Sequence, residues 1–136
     1  MKFTFFSSQY LMTVGGLSDR PNVNLYSLEE GQSVPECLQN LQQLPTATAF
    51  GAGAALGALG DIPLICGGTS GSTACYRYMP MSNEWVHSGN LTQTHKGPGY
   101  TRHSQLGLVI TGNIMDNGQR HKISETTLDG ENMKVS

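Results

Sequence analysis

Residues 62–85 read IPLICGGTSGSTACYRYMPMSNEW, and this stretch decides the fold. An apolar run from Ile62 to Cys66 ends on Gly67 and Gly68. The turn TSGST then leads into a second run, Ala74 to Met79, and the turn formers Pro80, Ser82 and Asn83 precede Trp85. Short apolar runs bounded by Gly, Ser, Asn and Pro predict strands joined by tight turns. Pro63 is tolerated near the start of its run, where a missing ladder donor costs little. The pattern recurs upstream in LMTVGG, with Gly15 and Gly16 as the pair, and Tyr26 stands ten residues after Gly16 as Tyr78 stands ten after Gly68. A weaker third copy, LGLVITG, ends at Gly112, and the steps from Gly16 to Gly68 to Gly112 are 52 and 44 residues.

A repeat of roughly 40 to 50 residues holding several short strands is the pattern of β-propeller blades, since one small sheet cannot bury its faces without neighbours. The expected fold is all-β: a partial propeller of two to three four-stranded antiparallel blades. It occupies residues 1–136 as one unit, with approximate repeats 10–44, 45–91 and 92–136, the last incomplete. In the second copy Gly51 to Leu59 reads as a small-residue strand and turn, and Trp85 starts an outer strand and fills the wedge between adjacent sheets. The glycine pairs let the backbone bend. The first copy has Ser33 where the second has Trp85, so Val34, Leu38, Leu41 and Leu44 are expected to supply the missing volume. The leucines of CLQNLQQLP fall three apart and also fit a helix; extended structure is the preferred reading. The third copy runs from Leu106 to Ile110, through a turn at Asp116 to Gly118, to a strand over Lys122 to Leu128. A turn at Asp129 and Gly130 closes it, about half a blade in.

Composition agrees. Seventeen glycines and 13% charged residues favour strands and turns over helices. A net charge of −2 with eight thinly spread Lys and Arg gives no cationic stripe for nucleic acid and no polybasic segment for anionic lipid. No apolar run is long enough for membrane insertion. Lys2 with Phe3, Phe5 and Phe6 imitates the start of a signal peptide, but Ser7, Ser8, Gln9 and Tyr10 interrupt it, and Leu11 to Gly16 is already the first repeat's strand. No signal peptide is therefore expected here.

On a hydrophobic run, a glycine pair (Gly15 and Gly16, Gly67 and Gly68), a tyrosine ten residues on (Tyr26, Tyr78) and a tryptophan (Trp85), the chain resembles the kelch-repeat family of β-propellers, over roughly Tyr10 to Gly130. The third copy keeps only Gly112 of this set. Cys37 before LQQLP, Cys66 in LICGG, Cys75 in TACYRY and the SETTLDG segment are similar to a kelch-like subgroup of secreted proteins, which implies an extracellular location. Closed rings take about four to eight blades, so the resemblance implies a fragment of a larger propeller, or a chain that self-associates if no further blades complete it.

Three cysteines cannot all pair within one chain. If IPLIC and CYRYM form a hairpin, Cys66 falls opposite Cys75 within bridging distance, leaving Cys37 for a partner in another blade; the alternative is three reduced cysteines packed as small apolar residues. His87, His95, His103 and His121 lack the short spacings of a metal site, so no metal or other cofactor is expected. His103, after Arg102, matches the place of an arginine–histidine pair in the kelch pattern, in the strand entering the next blade, and is expected to bond a neighbouring blade's backbone. The carboxylates, Glu125 and Asp129 among them, read mostly as turn residues. Asn90, Leu91 and Thr92 form an N-glycosylation sequon.

The resemblance implies a non-enzymatic protein-binding module with an unidentified protein partner. Loops after the glycine pairs would carry the contact surface, including Ser18, Asp19, Arg20, Ser70, Ser72 and Asn113. The competing reading is a remnant of a kelch-type oxidase or sugar-processing propeller. Cys75 adjoins Tyr76, but successive strand residues face opposite ways, which argues against the cysteine–tyrosine crosslink of the copper oxidases.

Overall fold

The computed structural model describes residues 2–5, 10–14, 22–34, 36, 39–45, 52–56, 62–68, 72–79, 81–112, 118–120 and 122–136. These form three antiparallel sheets, each made of consecutive strands in chain order. The first holds β1 (Lys2–Phe5), β2 (Tyr10–Val14) and β3 (Val23–Ser27). The second holds β4 (Ala52–Leu56), β5 (Ile62–Cys66), β6 (Ala74–Met79) and β7 (Glu84–Asn90). The third holds β8 (Gly99–His103), β9 (Gly107–Thr111), β10 (Ser124–Thr127) and β11 (Lys134–Val135). No α-helix occurs among the described residues. The chain is thus all-β, and the helical alternative for CLQNLQQLP is not taken up at its described positions.

The sheets stack through their faces. The first strand of the middle sheet, β4, lies between β1 and β8, the first strands of its neighbours. Two apolar clusters fill the junctions. Met12, Val14, Ile65, Tyr78, Trp85 and Leu44 pack between the first and second sheets. Leu64, Cys66, Cys75, Leu91, Leu108 and Ile110 pack between the second and third. Alternation along β5 makes this division: Ile65 turns one way, and Leu64 and Cys66 turn the other. Both faces of β5 are dry, so IPLIC is continuously apolar. By contrast β3 alternates, with Val23 and Leu25 packed inward and Asn24 and Tyr26 exposed.

The repeated tyrosines sit on third strands, and on the same side of their sheets. Tyr78 of β6 faces the first sheet and is 2% exposed; Tyr26 of β3, opposite Leu11, lies on the outward face and is 52% exposed. The difference is coverage. At the other end, β9 and β10 turn Val109, Thr111, Ser124 and Thr126 outward, and the Ser124 hydroxyl donates to Thr111 Oγ1 at 2.9 Å.

Three expectations need correction. Among the described residues the first sheet has three strands rather than four, and the chain after β3 runs there as irregular structure whose Leu41 and Leu44 pack at the first junction. There the Asn83 and Trp85 side chains replace a strand ladder. Asn83 Oδ1 accepts from Gln42 N (2.9 Å), Asn83 Nδ2 donates to Asn40 O (3.0 Å), and Trp85 Nε1 donates to Gln42 O (2.8 Å). The third repeat, read as incomplete, has four strands. Lys2 to Phe5, which imitated a leader, is a strand paired with β2, Phe3 opposite Met12, so the first sheet begins upstream of Tyr10.

Cys66 and Cys75 form a disulfide across the β5–β6 pair, with Cα atoms 4.1 Å apart. It closes a loop of sequence separation 9, for which chain entropy gives about 2–3 kcal/mol of stabilisation. The Cys66→Ala/Cys75→Ala variant is expected to lose about that much in urea unfolding, and an unchanged midpoint would show the bridge to be thermodynamically idle. Cys37 lies outside the described residues.

Candidate functional site at the strand ends

Strands β5, β7 and β9 finish at one end of the molecule, and the connections leaving them are rooted by specific bonds. Around the β5–β6 loop, Gly67 N donates to Ala74 O (3.1 Å), Ala74 N donates to Ser72 Oγ (3.1 Å), and Leu91 N donates to Thr73 O (2.7 Å). The disulfide lies directly beneath. Gly112 leaves β9 at φ 63°, a left-handed conformation that suits glycine, and its N–H donates to Ile123 O at 3.2 Å.

Between these loops runs the connector from β7 to β8, and it is clamped onto the third sheet by a buried pair. His95 Nε2 lies 2.7 Å from Glu125 Oε2, with both side chains fully buried. Thr92 N donates to Glu125 Oε1 (2.6 Å) and Gln93 N to Oε2 (3.4 Å). His95 Nδ1 is 3.0 Å from Gly112 O, which can only accept, so Nδ1 carries a proton. Burial pulls the His95 pKa down, but the hydrogen bond to Glu125, the Gly112 carbonyl and the Glu125 charge together raise it above its ordinary value. Burial likewise pushes Glu125 up, and the bonds from His95 and Thr92 with the His95 charge outweigh it, leaving Glu125 lowered. Below the raised His95 value the pair is an imidazolium donating from both nitrogens to a carbonyl and a carboxylate. With neither side chain reaching solvent, it holds the connector rather than meeting a substrate.

This pair carries little sequence signature. Glu125, expected among the turn carboxylates, lies in β10 on the inward face with Thr127. The signal was the period-two alternation of SETT; nothing in TQTHK marked His95 as its partner thirty residues away. His103, expected to hold a neighbouring blade, is exposed, and its Nδ1 accepts from Gln105 N at 3.2 Å within its own turn. Asp129 does behave as a turn residue. Its carboxylate accepts from Asn132 N, Glu131 N, the Asn132 amide and the Thr127 hydroxyl, which hold its pKa at about 2.

Of the proposed contact residues, Ser72 is half-buried and caps its own loop. Ser18, Asp19, Arg20, Ser70 and Asn113 lie outside the described residues, as do Gly15 and Gly16. Gly67 and Gly68 are buried with positive φ, and Trp85 is 7% exposed in the first junction. Cys75 is committed to its bridge while Tyr76 packs toward the opposite junction, so the two do not form an oxidase-type crosslink. Among the described residues no group of three or more His, Cys, Asp or Glu side chains could hold a metal ion.

No protein-family model matches the chain, and no curated protein does. The functional reading rests on the molecule itself.

Proposed function

We propose that the chain is a non-enzymatic protein–protein interaction module built from kelch-type repeats, part of a larger propeller that works outside the cell. The observation that carries this reading is the stacking of three sheets in chain order with β1, β4 and β8 side by side, together with Tyr26 and Tyr78 on equivalent strands and faces. Such stacking brings the ends of β5 and β9 together on either side of His95, where a partner can touch more than one sheet at once. The rooted bases of those loops favour binding, since fewer conformations must be surrendered on contact. The Cys66–Cys75 bridge is compatible with an oxidising compartment.

The test is a comparison of the native chain with an Asp19→Ala/Arg20→Ala/Ser70→Ala variant, using partners captured from extracellular fluid and then titrated by calorimetry. The variant is expected to melt at the native temperature and to bind at least about tenfold more weakly, a change of about 1.4 kcal/mol. Equal affinity would remove these loops from the contact surface. Copper uptake with alcohol oxidation by the native chain would favour the oxidase reading instead. Size-exclusion chromatography of the same sample checks whether the outward faces of the first and third sheets associate when no further blade covers them.

A further inference from the structure

The sequon Asn90-Leu91-Thr92 lies where the outermost strand of the middle sheet ends, and its three residues face different surroundings. Asn90, the last residue of β7, is exposed; Leu91 is buried at the second junction; Thr92 is exposed with its backbone N–H held by Glu125. The anchored Leu91 and Thr92 leave Asn90 standing out from the surface. His87 Nε2 donates to Asn90 Oδ1 at 3.2 Å, which orients the amide, and among the described residues no partner holds Nδ2. A large substituent on Nδ2 would extend into solvent without entering either apolar cluster. Close by, Asn90 pairs with Ala74, the neighbour of Cys75, so the sequon adjoins the one bridge in the described structure.

We infer that Asn90 is an N-glycosylation site of this protein. A secretory route supplies both chemistries that this corner of the molecule accommodates: oxidation of Cys66 and Cys75, and transfer of an oligosaccharide to an Asn-x-Thr triplet. The donor is a lipid-pyrophosphate-linked oligosaccharide. Asn90 Nδ2 bonds to C1 of the sugar, the C1–O bond to pyrophosphate breaks, the amide nitrogen loses one proton, and the lipid pyrophosphate departs with no change of oxidation state. The glycan would stand beside the β5–β6 loop, at the outer rim of the end proposed for partner contact, and would limit approach from the β7 side.

The experiment is cell-free translation of the full chain, behind a host secretion leader, into microsomes that contain the lipid-linked donor. The native chain should gain one glycan, removed by an amidase that converts Asn90 to aspartate, and the Thr92→Ser variant should gain it too. Asn90→Gln and Thr92→Ala should each abolish the shift, whether or not either variant folds, because transfer precedes folding. A translocated native chain that carries the Cys66–Cys75 bridge and an unmodified Asn90 would overturn the inference. So would a glycan that persists in Asn90→Gln. Neither result bears on whether the loops bind a protein.

Discussion

Replacing Glu125 with alanine should cost about 3–5 kcal/mol, the usual loss when one member of a buried ion pair is removed. Three donors lose their acceptor together: the His95 imidazolium and the backbone N–H groups of Thr92 and Gln93. A domain of this size has about 5–15 kcal/mol to lose, so the second junction should open first on heating. Glu125→Gln keeps the shape and one acceptor for Thr92, and it should cost less, about 1–3 kcal/mol. Equilibrium urea unfolding checks both, and a Glu125→Ala loss below about 1 kcal/mol would mean that the clamp is not what holds the connector.

The pair also fixes how stability varies with pH. The folded pKa of His95 is raised above its ordinary 6.5, so its contribution is fully present below pH 6.5 and disappears as pH climbs through the raised value. Glu125 is lowered from its ordinary 4.5, so its contribution is fully present above pH 4.5 and is lost as pH falls through the lowered value. The native chain should therefore be most stable between pH 4.5 and 6.5 as far as this pair is concerned. Glu125→Gln should flatten the alkaline limb, because His95 then has no charged partner. An unchanged alkaline limb would assign that dependence to other groups.

Trp85→Ala is the second large effect, at about 3–5 kcal/mol for a buried aromatic. The indole is 7% exposed, with its ring centroid 5.2 Å from that of Tyr78, and it fills the first junction against Met12, Val14 and Ile65. Its removal also leaves Gln42 O without the Nε1 donor, loosening the segment that stands in for a fourth strand in the first sheet. Trp85→Phe restores most of the volume but not the hydrogen bond, so the difference between the two variants separates packing from polar anchoring. Circular dichroism must follow these melts, since Trp85 is the one tryptophan of the chain. Equal stability of native and Trp85→Ala chains would show that the first junction does not depend on the indole.

Much of the middle sheet was legible because its sequence carries signals on several levels at once. Ile62–Cys66 and Ala74–Met79 are strands at the positions that their apolar runs and flanking turn residues indicate, and the hairpin between them brings the two cysteines together. Strand β8 is marked in the sequence only by Arg102 and His103, since all five residues of GYTRH are exposed and no alternation of apolar and polar side chains shows its extent. The third repeat looks unfinished because its last strand, β11, is two exposed residues beyond the Asp129 and Gly130 turn. The opening KFTF does alternate, but Lys2 with Phe3, Phe5 and the following Phe6 carries the same letters as a secretory leader. The ion pair was illegible for another reason. Its members come from a connector and a strand thirty residues apart, and only the docking of the third sheet on the second brings them into contact. As for the contact surface, loop position was the sole signal for Ser18, Asp19, Arg20, Ser70, Ser72 and Asn113, and of these only Ser72 belongs to the described residues.

Leu64 and Ile65 are neighbours in the chain but answer to opposite halves of the molecule. Trimming Leu64 would weaken the hold on everything that follows the middle sheet, whereas trimming Ile65 would weaken the hold on everything before it. The two junctions thus meet back to back on one strand, and β5 serves as the common wall of both halves.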